Sequence, residues 1–203
     1  LCTGMQLLRR RRTDLSSTVC SPIDMQPFYD ALPFSLTDAQ RRAAGEAMAD
    51  MCGKTPMNRL CQGDVGSGKT MVAAACIYFA AQNGYQSALM APTELLEKLG
   101  VRCALLTGSL SAKTKKSIRA QLETGEITVA VGTQALISRD VTFSSLGLVV
   151  ADEQHRFGVA QRAALSAKAE KPHMLVMSAT PIPRTLALMI YGDLDISVID
   201  ELP

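Results

Sequence analysis

A chain of 203 residues has room for one domain of ordinary size and a short appendage, because a domain takes roughly 100–200 residues. Hydrophobic residues at 47% and charged residues at 20% exclude the composition of a disordered chain, and a net charge of +2 leaves any nucleic-acid partner to local patches. No stretch approaches the ~18 apolar residues of a membrane-spanning helix, and Leu1–Met5 does not make a signal peptide, so a soluble, cytoplasmic protein is expected. A monomer is the working expectation, although no sequence feature fixes the oligomeric state.

In chain order, Met5, Leu7 and Leu8 followed by Arg9–Arg12 fit the end of a helix whose dipole favours cations. Polar and proline-bearing residues from Thr13 to Pro33 read as a linker, giving residues 1–33 as an N-terminal helix and linker and 34–203 as the main domain. From Phe34 onward, apolar β-branched runs alternate with helical segments. Strands are predicted at Arg59–Cys61, Ser87–Ala91, Arg102–Leu106, Ile127–Gly132, Leu146–Ala151, Met174–Ser178 and Ile196–Ile199. Val129–Val131 and Val149–Ala151 are apolar at every position, as strands covered on both faces are, which predicts an α/β fold built on a doubly wound parallel sheet.

One connection is too short for that fold. Pro92 to Val101 must return the chain to a parallel neighbour, a crossover that needs about a dozen residues or more. Pro92–Leu96 reads as a helix start with Thr93 as N-cap, and Glu97–Gly100 as a helix end with Gly100 as left-handed cap. An interruption between Leu96 and Glu97 is therefore expected. The six cysteines (Cys2, Cys20, Cys52, Cys61, Cys76 and Cys103) form no C-x-x-C pair and read as reduced thiols, several of them core residues, rather than metal ligands.

The chemistry concentrates in two places. Gly63-Asp64-Val65-Gly66-Ser67-Gly68-Lys69-Thr70 matches G-x-x-x-x-G-K-[ST] between a predicted strand and a predicted helix, the context that separates a phosphate-binding loop from a chance glycine-rich turn. Lys69 would meet the β- and γ-phosphates of ATP, and the Thr70 hydroxyl would ligate Mg²⁺. Asp152-Glu153 leaves an apolar strand at its carboxyl end; such a pair alone is usually a helix N-cap, but beside a phosphate loop Asp152 is the metal-side residue and Glu153 the general base.

Around these lies a wider pattern. Asp152-Glu153-Gln154-His155 resembles the Walker B box of the superfamily 2 helicases, and Ser178-Ala179-Thr180 resembles their coupling motif. Phe34, Leu36 and Thr37-Asp38-Ala39-Gln40 resemble the Q-motif, whose glutamine reads adenine; Pro92-Thr93-Glu94 and Gly132-Thr133-Gln134 resemble the DNA-backbone motifs. Pro56–Arg59, Ala88–Glu94, Asp152–Val159 and Gly192–Asp195 resemble the RecG family of branched-DNA helicases. The transcription-repair coupling factor is the nearest alternative, but it typically carries Phe, Asp and Glu where this chain has Ser67, Asn58 and Gln154. The resemblance implies the first of two RecA-like motor domains, without the second domain and with only the trailing helix of a wedge domain. It implies branched or forked DNA as partner. In it Gln154 and His155 join Ser178–Thr180 in coupling.

Other signals have plainer readings. Arg9–Arg12 and Lys113, Lys115 and Lys116 read as solvated helix ends, and His173 as a loop residue. Arg156, Phe157 and Arg184 face either DNA or the second domain. The rival class is a nucleotide switch or small kinase that never engages DNA; the guanine-reading Asn-Lys-x-Asp is absent.

Overall fold

The computed structural model describes residues 18–89, 94–98, 100–132, 134–152, 164–180 and 194–202. Helix α1 (Gln26–Asp30) is followed by α2 (Asp38–Met51), β1 (Asn58–Gly63), α3 (Lys69–Gln82), β2 (Gln86–Leu89), α4 (Glu94–Lys98) and β3 (Cys103–Leu106). Then come α5 (Ala112–Glu123), β4 (Val129–Gly132), α6 (Gln134–Ile137), β5 (Leu146–Asp152), β6 (His173–Ser178) and β7 (Asp195–Ile199). All seven predicted strands are present. They form one parallel sheet in the order β3-β4-β2-β5-β6-β1-β7.

Because side chains alternate across a strand, the two faces of this sheet draw on alternate residues of the same apolar runs. In β5, Leu148 and Val150 join a core with α2 and α3, while Val149 and Ala151 join a second core with Leu106, Leu122 and Leu136. Helix α3 is buried from Val72 to Ala80, so it has no solvent face of the usual kind and its sequence, KTMVAAACIYFAAQ, is apolar nearly all round. That burial fixes the helix whose first turn carries Lys69 and Thr70.

The short connection resolves differently from the expectation. Strands β2 and β3 are not neighbours: β4 lies between them and pairs with both. Helix α4 runs through Leu96 and Glu97 without a break. Gly100, with φ of 76°, donates to the Glu97 carbonyl at 3.0 Å, and the Val101 N–H donates to the Leu96 carbonyl at 3.0 Å. This is the paired-bond Schellman ending, with Leu96 and Val101 buried as its apolar contact. The predicted glycine cap is thus in place, on one helical turn rather than on the end of an interrupted helix. The predicted N-cap, Thr93, lies outside the described residues.

The predicted linker is packed from Thr18 onward: Phe28 is fully buried and Cys20 nearly so. Thr18–Ser21 crosses the foot of the sheet, where the Cys20 N–H donates to the Met51 carbonyl at 3.0 Å and the Ser21 N–H to Asn83 Oδ1 at 2.7 Å. His173, predicted in a loop, is instead the buried first residue of β6. Its Nδ1 accepts the Met57 N–H at 2.9 Å, which leaves Nε2 to donate to the Thr18 carbonyl, and burial holds its pKa below the ordinary histidine value. The helix expected before Arg12 lies outside the described residues.

Candidate nucleotide site

The phosphate loop occupies the turn between β1 and α3 at the carboxyl edge of the sheet. Gly66 and Gly68 have φ of 86° and 78°, a region that costs residues with a Cβ roughly 1–2 kcal/mol. Gly68 is bound twice over, since a Cβ there would collide with Gln40 Nε2. At Gly63 a Cβ would stand 2.6 Å from Ser67 Oγ and 2.9 Å from the Ile199 carbonyl. The loop consequently lies close to the sheet at Gly63 and Ser67, with Asp64, Val65 and Gly66 exposed at its tip.

Two features of the loop fit an anion. Ser67 Oγ is buried and has no hydrogen-bond partner, a condition that ordinarily costs about 1–3 kcal/mol. The N-terminus of the fourteen-residue α3 points its unpaired N–H groups and partial positive charge at the same place. Lys69 is folded back, its Nζ donating to the carbonyls of Gly63 at 2.7 Å and Asp64 at 2.6 Å. Beneath the loop, burial pushes the Cys61 thiol up to about 12, which leaves it protonated and inert.

Gln40 is also part of the loop's support. Thr37 caps α2 through a reciprocal box: its hydroxyl accepts the Gln40 N–H at 3.2 Å, and Gln40 Oε1 accepts the Thr37 N–H at 3.0 Å. Gln40 Nε2 then donates to the Ser67 carbonyl at 2.8 Å. The side chain is 1% exposed, so its amide joins the first turn of α2 to the phosphate loop. Phe34 is half exposed and Leu36 buried at the start of the same helix.

Strand register places the acidic end. Cys61 of β1 and Asp152 of β5 both pair with Met177 of the intervening β6, so the three residues form one row. With strands about 4.8 Å apart, Asp152 lies about 10 Å from β1, at the level from which the phosphate loop departs. Ser178 follows Met177 and pairs with Gln62. Its buried Oγ accepts the Thr180 N–H at 3.2 Å and lies 3.1 Å from Thr180 Oγ1, so Ser178-Ala179-Thr180 folds into a tight turn at this edge. The edge therefore assembles Gly63–Thr70, Gln40, Asp152, Ser178 and Thr180. Gly132, at the end of β4, and the helices begun by Glu94 and Gln134 leave the sheet on the same side. Gly132 admits no side chain, because a Cβ would collide with the Leu106 carbonyl of β3. Pro92, Thr93, Thr133, Glu153, Gln154, His155, Arg156, Phe157 and Arg184 lie outside the described residues.

A buried ionic group here was not foreseen. Arg59 of β1 donates from Nε to Asp50 at 2.8 Å and from Nη1 to Glu46 at 3.0 Å and Ser197 Oγ at 2.7 Å, and Ser197 Oγ donates to Glu46. This ties α2 to β1 and β7. The signal was present in the sequence as a lone arginine inside an apolar strand, which demands partners.

A left-handed glycine loop feeding a buried helix, with a carboxylate two strands away on a parallel sheet, defines a P-loop domain of RecA-like architecture. Residues 37–189 match the DEAD/DEAH box helicase family, and the chain belongs to it. It is 54% identical to the ATP-dependent DNA helicase RecG of Synechocystis over 88% of this chain and 23% of that protein. The RecG of Staphylococcus aureus is 47% identical over 98% of this chain and 31% of its own length. That alignment covers 213 positions against 203 residues, so the relative carries residues with no counterpart here. The structure of RecG bound to a three-way DNA junction superposes with a TM-score of 0.80 at 42% identity, over 98% of this chain and 29% of that one. The chain thus spans about a quarter to a third of the relatives' length.

Proposed function

We propose that the chain is the ATP-binding first motor domain of a cytoplasmic DNA helicase that remodels branched DNA, such as forks and junctions, and works with a wedge domain and a second RecA-like domain. The observation that carries this is the loop itself: a buried, unpartnered Ser67 hydroxyl and a folded-back Lys69 at the N-terminus of a buried helix, level with Asp152. Lys69 swings from the Gly63 and Asp64 carbonyls to the β- and γ-phosphates of ATP. Thr70 and Asp152 would hold Mg²⁺, which when bound offsets phosphate charge. Glu153 orients and deprotonates the attacking water as general base.

Ser178, Ala179 and Thr180, with Gln154 and His155, transmit the state of the phosphates. Pro92, Thr93, Glu94, Gly132, Thr133 and Gln134 meet the DNA backbone. The likeness to RecG in both sequence and fold supports the branched-DNA assignment over the coupling-factor motor and over a switch or kinase. By itself the chain binds Mg-ATP weakly and turns it over slowly, since an arginine finger from a second domain is worth roughly 10³–10⁵ in rate.

A chimera in which this chain replaces the matching segment of the Bacillus subtilis RecG tests the reading. The chimera should hydrolyse ATP faster with forked DNA than without it. Glu153→Gln in the chimera should retain ATP but block hydrolysis, and Lys69→Ala should lose both. A chimera that binds ATP yet ignores forked DNA would overturn the motor assignment.

A further inference from the structure

The chain between Asp152 and Ser178 passes, at residues 164–169, against the turn that follows α6. Leu165 shares a buried core with Leu136 of α6 and with Val141. Three residues further on, the half-buried Lys168 turns its ammonium inward, and Nζ donates to the Ser138 and Val141 carbonyls at 2.7 Å each. A lysine that only solubilises a surface points its ammonium into water instead. Burial pulls the Lys168 pKa below the ordinary lysine value, and the Asp140 carboxylate of the same turn works against that shift. Asp140 also pairs with Arg119 of α5 at 3.3 Å, so the turn is gripped from two elements. The Val141 N–H donates to the Ser138 carbonyl at 3.0 Å, which closes the turn without help from Lys168.

Helix α6 has four residues, too few to hold its own shape, so its direction is set at its two ends. At the leading end Gly132 is pressed against the Leu106 carbonyl of β3. At the trailing end stands the turn that Lys168 grips. Without the ammonium that turn would keep its own hydrogen bond and its buried Val141, and so persist, but it would be free to shift.

We propose that Lys168 is a positioning residue for DNA engagement: its ammonium fixes the trailing end of α6, and with it the angle at which Gly132-Thr133-Gln134 leaves β4 toward a DNA backbone. The inference rests on the DNA-motor reading above and adds to it a residue that acts without touching DNA. Lys168 lies in the chain between the acidic end of β5 and the Ser178–Thr180 turn, the two places where the phosphates of a nucleotide are felt. The same ammonium therefore gives the nucleotide edge a physical contact with the DNA-facing segment.

The test is titration of the 203-residue chain with Mg-ATP and, by fluorescence anisotropy over a series of low salt concentrations, with a labelled forked DNA. Lys168→Met keeps the apolar stem and removes the donors. It should weaken forked DNA by roughly three- to tenfold, the range over which residues of a coupled network alter a site they do not touch, and leave Mg-ATP affinity unchanged. The salt dependence of DNA binding should keep its wild-type slope, because no phosphate contact is lost. Lys168→Arg, whose guanidinium can donate to both carbonyls, should recover most of the affinity. Gln86→Ala, a destabilising change at the foot of the sheet, should leave DNA affinity as it is. A slope reduced by about one in Lys168→Met would make the lysine a direct phosphate contact and overturn the inference. Wild-type DNA affinity in Lys168→Met, loss of ATP and DNA affinity together, or an equal loss in Gln86→Ala would overturn it as well. Wild-type chain that binds Mg-ATP but no forked DNA would overturn the DNA-motor reading itself, and the inference with it.

Discussion

At the foot of the sheet Gln86 donates to the Leu122 and Ile127 carbonyls at 2.9 and 2.7 Å and accepts the Ser145 N–H at 2.9 Å, so one buried amide closes three backbone groups. At the opposite edge the Ser67 hydroxyl is as deeply buried and meets nothing, and the Lys69 ammonium rests on carbonyls of its own loop. Both ends are built from buried polar groups on parallel strands. At the foot Gln86 finishes the fold, although the neighbouring Ser87 hydroxyl is also buried without a partner. At the carboxyl edge the open Ser67 hydroxyl lies at a helix N-terminus beside an ammonium, where a ligand adds most because the desolvation has already been met.

The comparison is broken most directly at Gly68. Gly68→Ala adds backbone strain and a collision with the Gln40 amide, so triphosphate binding should fall by a hundredfold or more, about 3 kcal/mol, in a nucleotide titration. Gly66→Ala shares the strain but has open space around its Cβ, so it should retain measurable binding. Equal loss in both would remove Gln40 from the account.

The foot should answer in stability and not in ligand affinity. Gln86→Ala leaves two carbonyls and an N–H without their side-chain partner and should cost about 2–3 kcal/mol in urea unfolding, with nucleotide affinity unchanged. Arg59 lies between the two regimes. Arg59→Met should destabilise by about 1–3 kcal/mol, below the figure for a fully buried pair because Glu46 and Asp50 are 40% and 30% exposed and can turn to water. An unchanged midpoint would show that the ion group adds nothing net.

The smallest effect concerns pH. Burial depresses the pKa of His173 in the folded state, so the unfolded chain takes up its proton first, and stability that is full above the ordinary histidine pKa of about 6.5 declines as pH falls below it. The slope is at most about 1.4 kcal/mol per pH unit and ends at the folded pKa. Thermal melts from pH 7.5 to 5.5 should show the decline in the wild-type chain and a flatter curve in His173→Gln. A parallel pair of curves would place the pH sensitivity in the carboxylates instead.

Much of the fold was legible because apolar runs such as Leu146–Ala151 and Met174–Ser178 identify buried strands locally, and the phosphate loop because its glycines mark positive φ at Gly66 and Gly68. Strand order was not legible. Nothing in Ser87–Leu89 states that Val129–Val131 will pair with it and with Cys103–Leu105 as well. For the same reason the connection through α4 looked impossible when β2 and β3 were drawn as neighbours. Gln40 was identified through its motif, but its bond to Ser67 joins residues 27 apart and cannot be read from either segment. His173 was misplaced because proline before it suggested a loop, and its burial depends on Thr18, 155 residues earlier.

The cap on α2 also has a consequence for the order in which the chain folds. Besides Thr37, the helix start receives the Glu201 carboxylate, which accepts the Ala39 N–H at 3.1 Å across 162 residues of sequence, and Arg42 pairs with Asp200 at 3.1 Å beside it. Contacts of such separation form late, because loop closure must precede them. On a ribosome adding roughly 5–20 residues per second, α2 can form its local box within moments of emerging, but its second acceptor does not exist until about ten to thirty seconds of further synthesis have passed. The helix beside the candidate nucleotide site is therefore among the first to be made and among the last to be completed.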